Sequence, residues 1–286
     1  MNGQTADPAG ARPWLVLVAA LIVATLIAYV GPMGLALTLA LPMVAARDPA
    51  LIEGAFNLII FGALIIAALV AARLTGGRIM AGLAPVLAMP AGVAAGLGGV
   101  GMALVLSGLA GVVQPGGGAP FSVAAFAGGT LVMLFQTGAE EVYFRGWLQP
   151  VLQRSWGVWP GILATAGVFA LVHFASAIRD PQALPVLILA GLWFGVLASR
   201  SRGLVLPIAA HFGWNWGEGL LWGAAPNPGV GNFGSLYDYD LAGSVLWGGG
   251  PDGLDTSLSS LFALAALIAV CVLAPGLART AARTAV

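Results

Sequence analysis

Charge is what this 286-residue chain has least of. Only 8% of its residues are Asp, Glu, Lys or Arg, against 59% hydrophobic, where ordinary globular domains carry about 25% charged residues. So few charges cannot clothe a water-soluble surface, so a soluble domain is excluded and a polytopic membrane protein expected. There is no lysine, all eleven basic residues are arginine, and the net charge is zero, so bulk electrostatics points to no nucleic-acid partner. A single cysteine, Cys271, permits neither an intrachain disulfide nor a cysteine-based metal cluster. Histidine is nearly absent too, with two in the chain, and there are four glutamates. No HExxH zinc helix and no GxSxG nucleophile elbow can be found.

What remains is oil arranged in runs. About 20 apolar residues cross a bilayer as a helix. On that scale spans are expected at 14–45, 51–72, 82–112, 121–149, 158–178, 182–199, 203–222 and 257–277. The fold class is therefore all-α, a polytopic transmembrane helical bundle of about eight transmembrane helices, forming one integral-membrane domain over 1–286. The first run is too long for one straight helix, and "GPMG" at 31–34 together with Pro42 is expected to break or kink it. The polar residues 1–13 resemble a signal peptide but lack a short apolar region with a cleavage site, which predicts an uncleaved first span. Gly92 and Gly96, at GxxxG spacing, are a helix-packing signal. The Gly-, Asn- and Pro-rich stretch 223–256 reads as a long loop, with a dip into the membrane surface near "VLWGGG" open.

Arginine placement orients the bundle. With eight crossings and the N-terminus inside, Arg12, Arg73, Arg78, Arg145, Arg154, Arg200, Arg202, Arg279 and Arg283 fall at inner ends, and only Arg47 and Arg179 at outer ones. That agrees with the positive-inside rule and puts both termini in the cytoplasm. Trp147, Trp156 and Trp159 read as interfacial anchors on the inner side.

Against this background a few polar residues stand out. Two of the four glutamates, Glu140 and Glu141, are adjacent in "GAEEVYFRGWLQ", with Arg145 following. Glu141 and Arg145 are spaced i, i+4 and can pair along a helix, while Glu140 points about 100° away. Arg145 is thus expected to neutralise Glu141 and leave Glu140 free, in an apolar setting that favours a base. His173 and His211 lie in other apolar helices, with Asn215 one turn beyond His211 on the same face. At about 1.5 Å per residue from the inner ends, Glu140, His173 and His211 lie roughly 15, 22 and 12 Å deep, compatible with one cluster. Ionisable groups in lipid are expensive and point to function. Each has a plainer reading: an ion-pair cluster at the interface for Glu140, Glu141 and Arg145, and interhelical hydrogen bonds for His173 and for His211 with Asn215. Phe169 reads as core packing. Glu218 reads as a structural cap or an outer-interface residue.

Three motifs stand in order on three hydrophobic helices: EExxxR (Glu140, Glu141, Arg145), FxxxH (Phe169, His173) and HxxxN (His211, Asn215). Over roughly 121–222 the chain resembles the CPBP family of intramembrane proteases, named for CAAX prenyl proteases and bacteriocin-processing enzymes. The resemblance implies a cavity among the motif helices, open to the cytoplasm. Carried over, it makes Glu140 the activator of water and His173 its positioner. His211 and Asn215 become donors to the oxyanion, with Glu141 and Arg145 in support. A base for water and donors where charge develops are what peptide hydrolysis needs. No cofactor is required on this reading. Zinc held by Glu140, His173 and His211 is the metal alternative. The expected partners are membrane lipids and a peptide or membrane-protein substrate. The competing readings are a non-catalytic membrane immunity or scaffold protein, and transport or haem or metal binding through the histidines.

Overall fold

The computed structural model describes residues 12–39, 48–80, 86–117, 121–176, 180–226 and 233–273. They are helical almost throughout: α1 (Pro13–Leu39), α2 (Pro49–Leu74), α3 (Ala88–Leu109), α4 (Val123–Glu141), α5 (Gln149–Trp156), α6 (Val158–Ser176), α7 (Ala183–Ser201), α8 (Val205–Trp216) and α9 (Leu258–Leu273). The π-helical segment Val142–Leu148 joins α4 to α5 without a break, and a second, Gly217–Leu221, extends α8. Local chemistry sets the helix ends. Asp48 caps α2 by accepting from the Ala50 N–H at 2.8 Å, with Pro49 in the first turn. Ser122 caps α4.

Among the described residues five helices are long and apolar enough to cross a membrane: Pro13–Gly31, Pro49–Leu74, Ala88–Leu109, Val158–Ala175 and Ala183–Ser201. These match five of the eight expected spans and make the chain a multi-pass helical bundle. The other three, expected at 121–149, 203–222 and 257–277, are helical but shorter or interrupted. α9 is the shorter apolar helix Leu258–Leu273. The surface is inverted relative to a soluble protein: Ile59 is 72% exposed, Leu131 68% and Val270 65%. Apolar side chains left outside on this scale face lipid.

Three expectations need correction. Of the break or kink expected at "GPMG", the break does not occur: α1 runs as helix to Leu39, since in lipid no water competes for the backbone groups and glycine and proline are tolerated inside such helices. Pro42 lies outside the described residues, as does Arg179. Trp147 is not an interfacial anchor: it is 5% exposed and its indole N–H donates to Thr75 Oγ1 at 3.2 Å, whereas Trp156 and Trp159 are exposed. The stretch 223–256 is not a bare loop where it is described. β1 (Val113–Pro115), β2 (Ala224–Ala225) and β3 (Tyr239–Leu241) form a small sheet in the order β1-β3-β2. β3 is antiparallel to β1 and parallel to β2. With two 3-10 turns, Val245–Trp247 and Gly253–Thr256, it closes one end of the bundle.

The GxxxG signal has a definite target. α3 packs closely along α8. A Cβ on Gly92 would lie 2.5 Å from Ala209 Cβ, and one on Gly96 would run into the Ala210 carbonyl and the Trp214 nitrogen. Only glycine allows this approach, and α8 is the helix that carries His211.

Candidate active site

The π segment begins directly after Glu141, and the sequence explains why the α ladder loosens there. Pro150 has no N–H to give the Gly146 carbonyl. That carbonyl instead accepts from the Met80 N–H at 2.9 Å, in the chain that follows α2. π turns inside α-helices often mark functional sites. Here the turn carries Arg145 across from the glutamates.

Arg145 is fully buried. Its Nη1 donates to Glu141 Oε1 at 2.7 Å and its Nη2 to the Gly191 carbonyl of α7 at 3.0 Å. The guanidinium lies 4.7 Å from the ring centre of Phe169 and 5.3 Å from that of Phe194. A buried cation needs such partners, since removing its hydration costs several kcal/mol. The expected Glu141–Arg145 pair is therefore formed.

No local spacing announces the next contact. Glu141 Oε1 also faces His211 Nδ1 at 2.9 Å. A carboxylate only accepts, so Nδ1 carries the hydrogen and Nε2 turns the other way, towards Glu140. His173 is fixed in the same sense. Its Nδ1 donates to the Phe169 carbonyl at 2.9 Å, which leaves Nε2 facing Glu140 Oε2 at 3.6 Å. His211 Nε2 stands 4.0 Å from the same oxygen. Glu140 Oε2 is buried and has no hydrogen-bond partner among the described residues. Two imidazoles thus converge on one free carboxylate oxygen, while the neighbouring carboxylate is held by an arginine and a histidine.

Phe169 does more than fill core. His173 lies against it at 4.2 Å between ring centres, and His211 meets it edge-on at 6.1 Å. Phe194 of α7 stacks on His211 at 4.4 Å. Phe194 belongs to none of the three motifs, and no polar signal could have marked it. Glu140, Glu141, Arg145 and His211 are buried, and the His173 side chain is 26% exposed, which makes it the open side of the cluster. Asn215 is half-buried one turn past His211, and no hydrogen bond ties it to the other five. Glu218 is buried in the π extension of α8, where Asp255 is a neighbouring charge.

The zinc alternative would use Glu140, His173 and His211. Tetrahedral ligands at about 2.0–2.1 Å from zinc stand roughly 3.3 Å apart, and the distances to Glu140 Oε2 are 3.6 and 4.0 Å. Among the described residues no group of three His, Cys, Asp or Glu is arranged to hold a metal ion. The set as it stands does not fit zinc.

Residues 122–217 match the family described as Type II CAAX prenyl endopeptidase Rce1-like. No curated protein matches the chain. The matched stretch begins at the cap of α4 and ends just after α8, so it contains all three motifs and every residue of the buried cluster. The chain carries, over residues 122–217, a domain of the Rce1-like type II CAAX prenyl endopeptidases, a family of proteases.

Proposed function

We propose that the protein is an intramembrane endopeptidase that hydrolyses peptide bonds of membrane-associated peptides or proteins, with Glu140 activating water. The observation that carries this reading is the inequality of the two adjacent carboxylates. Glu141 is held through Oε1 by Arg145 and His211, with its Oε2 unmet; Glu140 Oε2 is also without a hydrogen bond, but it is the oxygen that faces both imidazole Nε2 atoms. The 3.6 Å separation of Glu140 Oε2 and His173 Nε2 is too long for a direct hydrogen bond, so that oxygen is free to accept from a water entering on the His173 side. That water gives a proton to Glu140 as its oxygen attacks the scissile carbonyl carbon. The tetrahedral intermediate collapses, the C–N bond breaks, and Glu140 returns the proton to the leaving amine. His211 and Asn215 donate to the oxyanion. For His211 Nε2 to donate while Nδ1 donates to Glu141, the ring must carry a hydrogen on both nitrogens in that step. No step passes through a metal.

The test compares new protein termini in membranes of the host carrying wild type or Glu140→Gln at matched expression, by terminal-peptide mass spectrometry. Termini present with wild type and lost in the variant are expected, and they would identify the substrate. Identical termini, with both proteins rescuing a deletion phenotype equally, would move the reading to a non-catalytic immunity or scaffold protein.

A further inference from the structure

A second polar row runs beside the catalytic cluster. Glu141, Arg145, Gln149 and Gln153 follow one another at intervals of four along α4, the π segment and α5. Opposite them on α7 stand Gly191, Gly195 and Ser199, also four apart. Arg145 Nη2 donates to the Gly191 carbonyl at 3.0 Å, and Gln149 Nε2 donates to the Gly195 carbonyl at 3.0 Å. Gln149 Nε2 also reaches Ser199 Oγ at 3.0 Å, and Gln153 Nε2 reaches the same hydroxyl at 2.8 Å. Gln149 is fully buried, and its Oε1 has no partner among the described residues. A Cβ on Gly195 would lie 2.8 Å from that oxygen. The glycine therefore makes room for this side chain against α7.

We propose that Gln149 is a positioning residue for the catalytic carboxylates, the second rung of a ladder that holds the π segment to α7. A π turn holds one more residue than the α turn it replaces, and it persists only where its surroundings hold it. Relaxing it would rotate Glu140 and Glu141 by about 100° relative to α5. Arg145 grips α7 from within the π segment, and Gln149 grips it at the first residue beyond. Together they fix both the place of the extra residue and the direction in which Glu140 points. A buried amide with one unmet acceptor is a poor way to fill a core, where leucine or methionine costs less. Its two hydrogen bonds to α7 are what it adds.

This inference rests on the endopeptidase reading for its kinetic test and has a second readout that does not. With a substrate found from the Glu140→Gln comparison, Gln149→Met, which keeps the shape and loses the donors, is expected to lower kcat tenfold to a hundredfold, on the order expected for misplaced catalytic groups, with KM changed less than twofold. Thr165→Val is the control. It removes an equally buried hydroxyl, bonded within its own helix to the Gly161 carbonyl at 2.8 Å, and should leave kcat unchanged. Gly195→Ala should also slow the enzyme, and the Gly195→Ala, Gln149→Ala double variant should be no slower than the worse single one. Independently of activity, amide hydrogen exchange over residues 141–148 should quicken in Gln149→Met and not in Thr165→Val. Wild-type kcat in folded Gln149→Met, or unchanged exchange over 141–148, overturns the positioning role. If wild type cleaves nothing, the endopeptidase reading fails by itself and exchange still decides this one.

Discussion

Adjacent glutamates in the same helix have opposite fates because successive side chains point about 100° apart. Glu141 turns towards Arg145 and His211, and Glu140 towards the two Nε2 atoms. The two conservative swaps should therefore differ. On the proposed reading Glu140→Gln removes the base and is expected to reduce turnover by roughly a hundredfold or more. Glu141→Gln keeps an oxygen that accepts from Arg145 and His211, so a smaller loss is expected. Turnover assays of both variants decide it, and loss in Glu141→Gln with activity spared in Glu140→Gln would reverse the assignment. Chelation is the second test at this scale. Because the spacing of Glu140, His173 and His211 does not fit zinc, dialysis against a strong chelator should leave turnover intact. Stoichiometric zinc in the purified protein, with activity lost on chelation and restored by zinc, would overturn that.

Helix packing transmits residue geometry at the next scale. Gly92 and Gly96 let α3 lie against the backbone of α8, the helix that carries His211. Gly96→Ala puts a methyl group into the Ala210 carbonyl and the Trp214 nitrogen, and overpacking of this kind costs about 1–3 kcal/mol. It should lower both the thermal midpoint in detergent and turnover. Gly98 on the same helix is exposed with open space around it, so Gly98→Ala should leave both unchanged. Equal behaviour of the two variants would mean that the α3–α8 contact does not position the site.

The two ends of the bundle differ in charge. Arg73, Arg78, Arg154, Arg200 and Arg202 lie where α2, α5 and α7 end; Asp238, Asp240, Asp252 and Asp255 lie in the capped end that carries the sheet. On the positive-inside reading the cap faces outward. In intact cells carrying Cys271→Ser, a membrane-impermeant thiol reagent should label Asp240→Cys and not Arg154→Cys; the opposite pattern inverts the topology. The cap also carries a pH dependence. Burial, with Asp252 close by, pushes the Asp255 carboxyl up to about 7, and Glu218 lies near enough to interact with it. A carboxyl whose pKa is raised on folding favours the folded state when protonated. Its contribution is complete below the unfolded value near 3.9 and is lost as pH rises through about 7. Thermal midpoints should fall between pH 5 and pH 8, and Asp255→Asn should flatten that fall.

Much of this was readable from the chain alone. Scarcity of charge and long apolar runs determine a membrane bundle, because lipid admits only helices whose backbone groups are satisfied internally. Spacing alone predicts the Glu141–Arg145 pair, since i, i+4 neighbours meet on any helix. The Glu141–His211 contact spans 70 residues, so no local period could announce it. The same holds for Phe194 on His211, for Gln149 on the Gly195 carbonyl, and for the sheet that joins residues 113–115 to 239–241. The π turn lies between these cases: Pro150 marks where the ladder must loosen, but Met80 and α7 decide what takes its place. Contacts between distant segments depend on how helices cross, and that depends on every packed side chain at once, so only the tertiary structure could decide which carboxylate is held and which is left free.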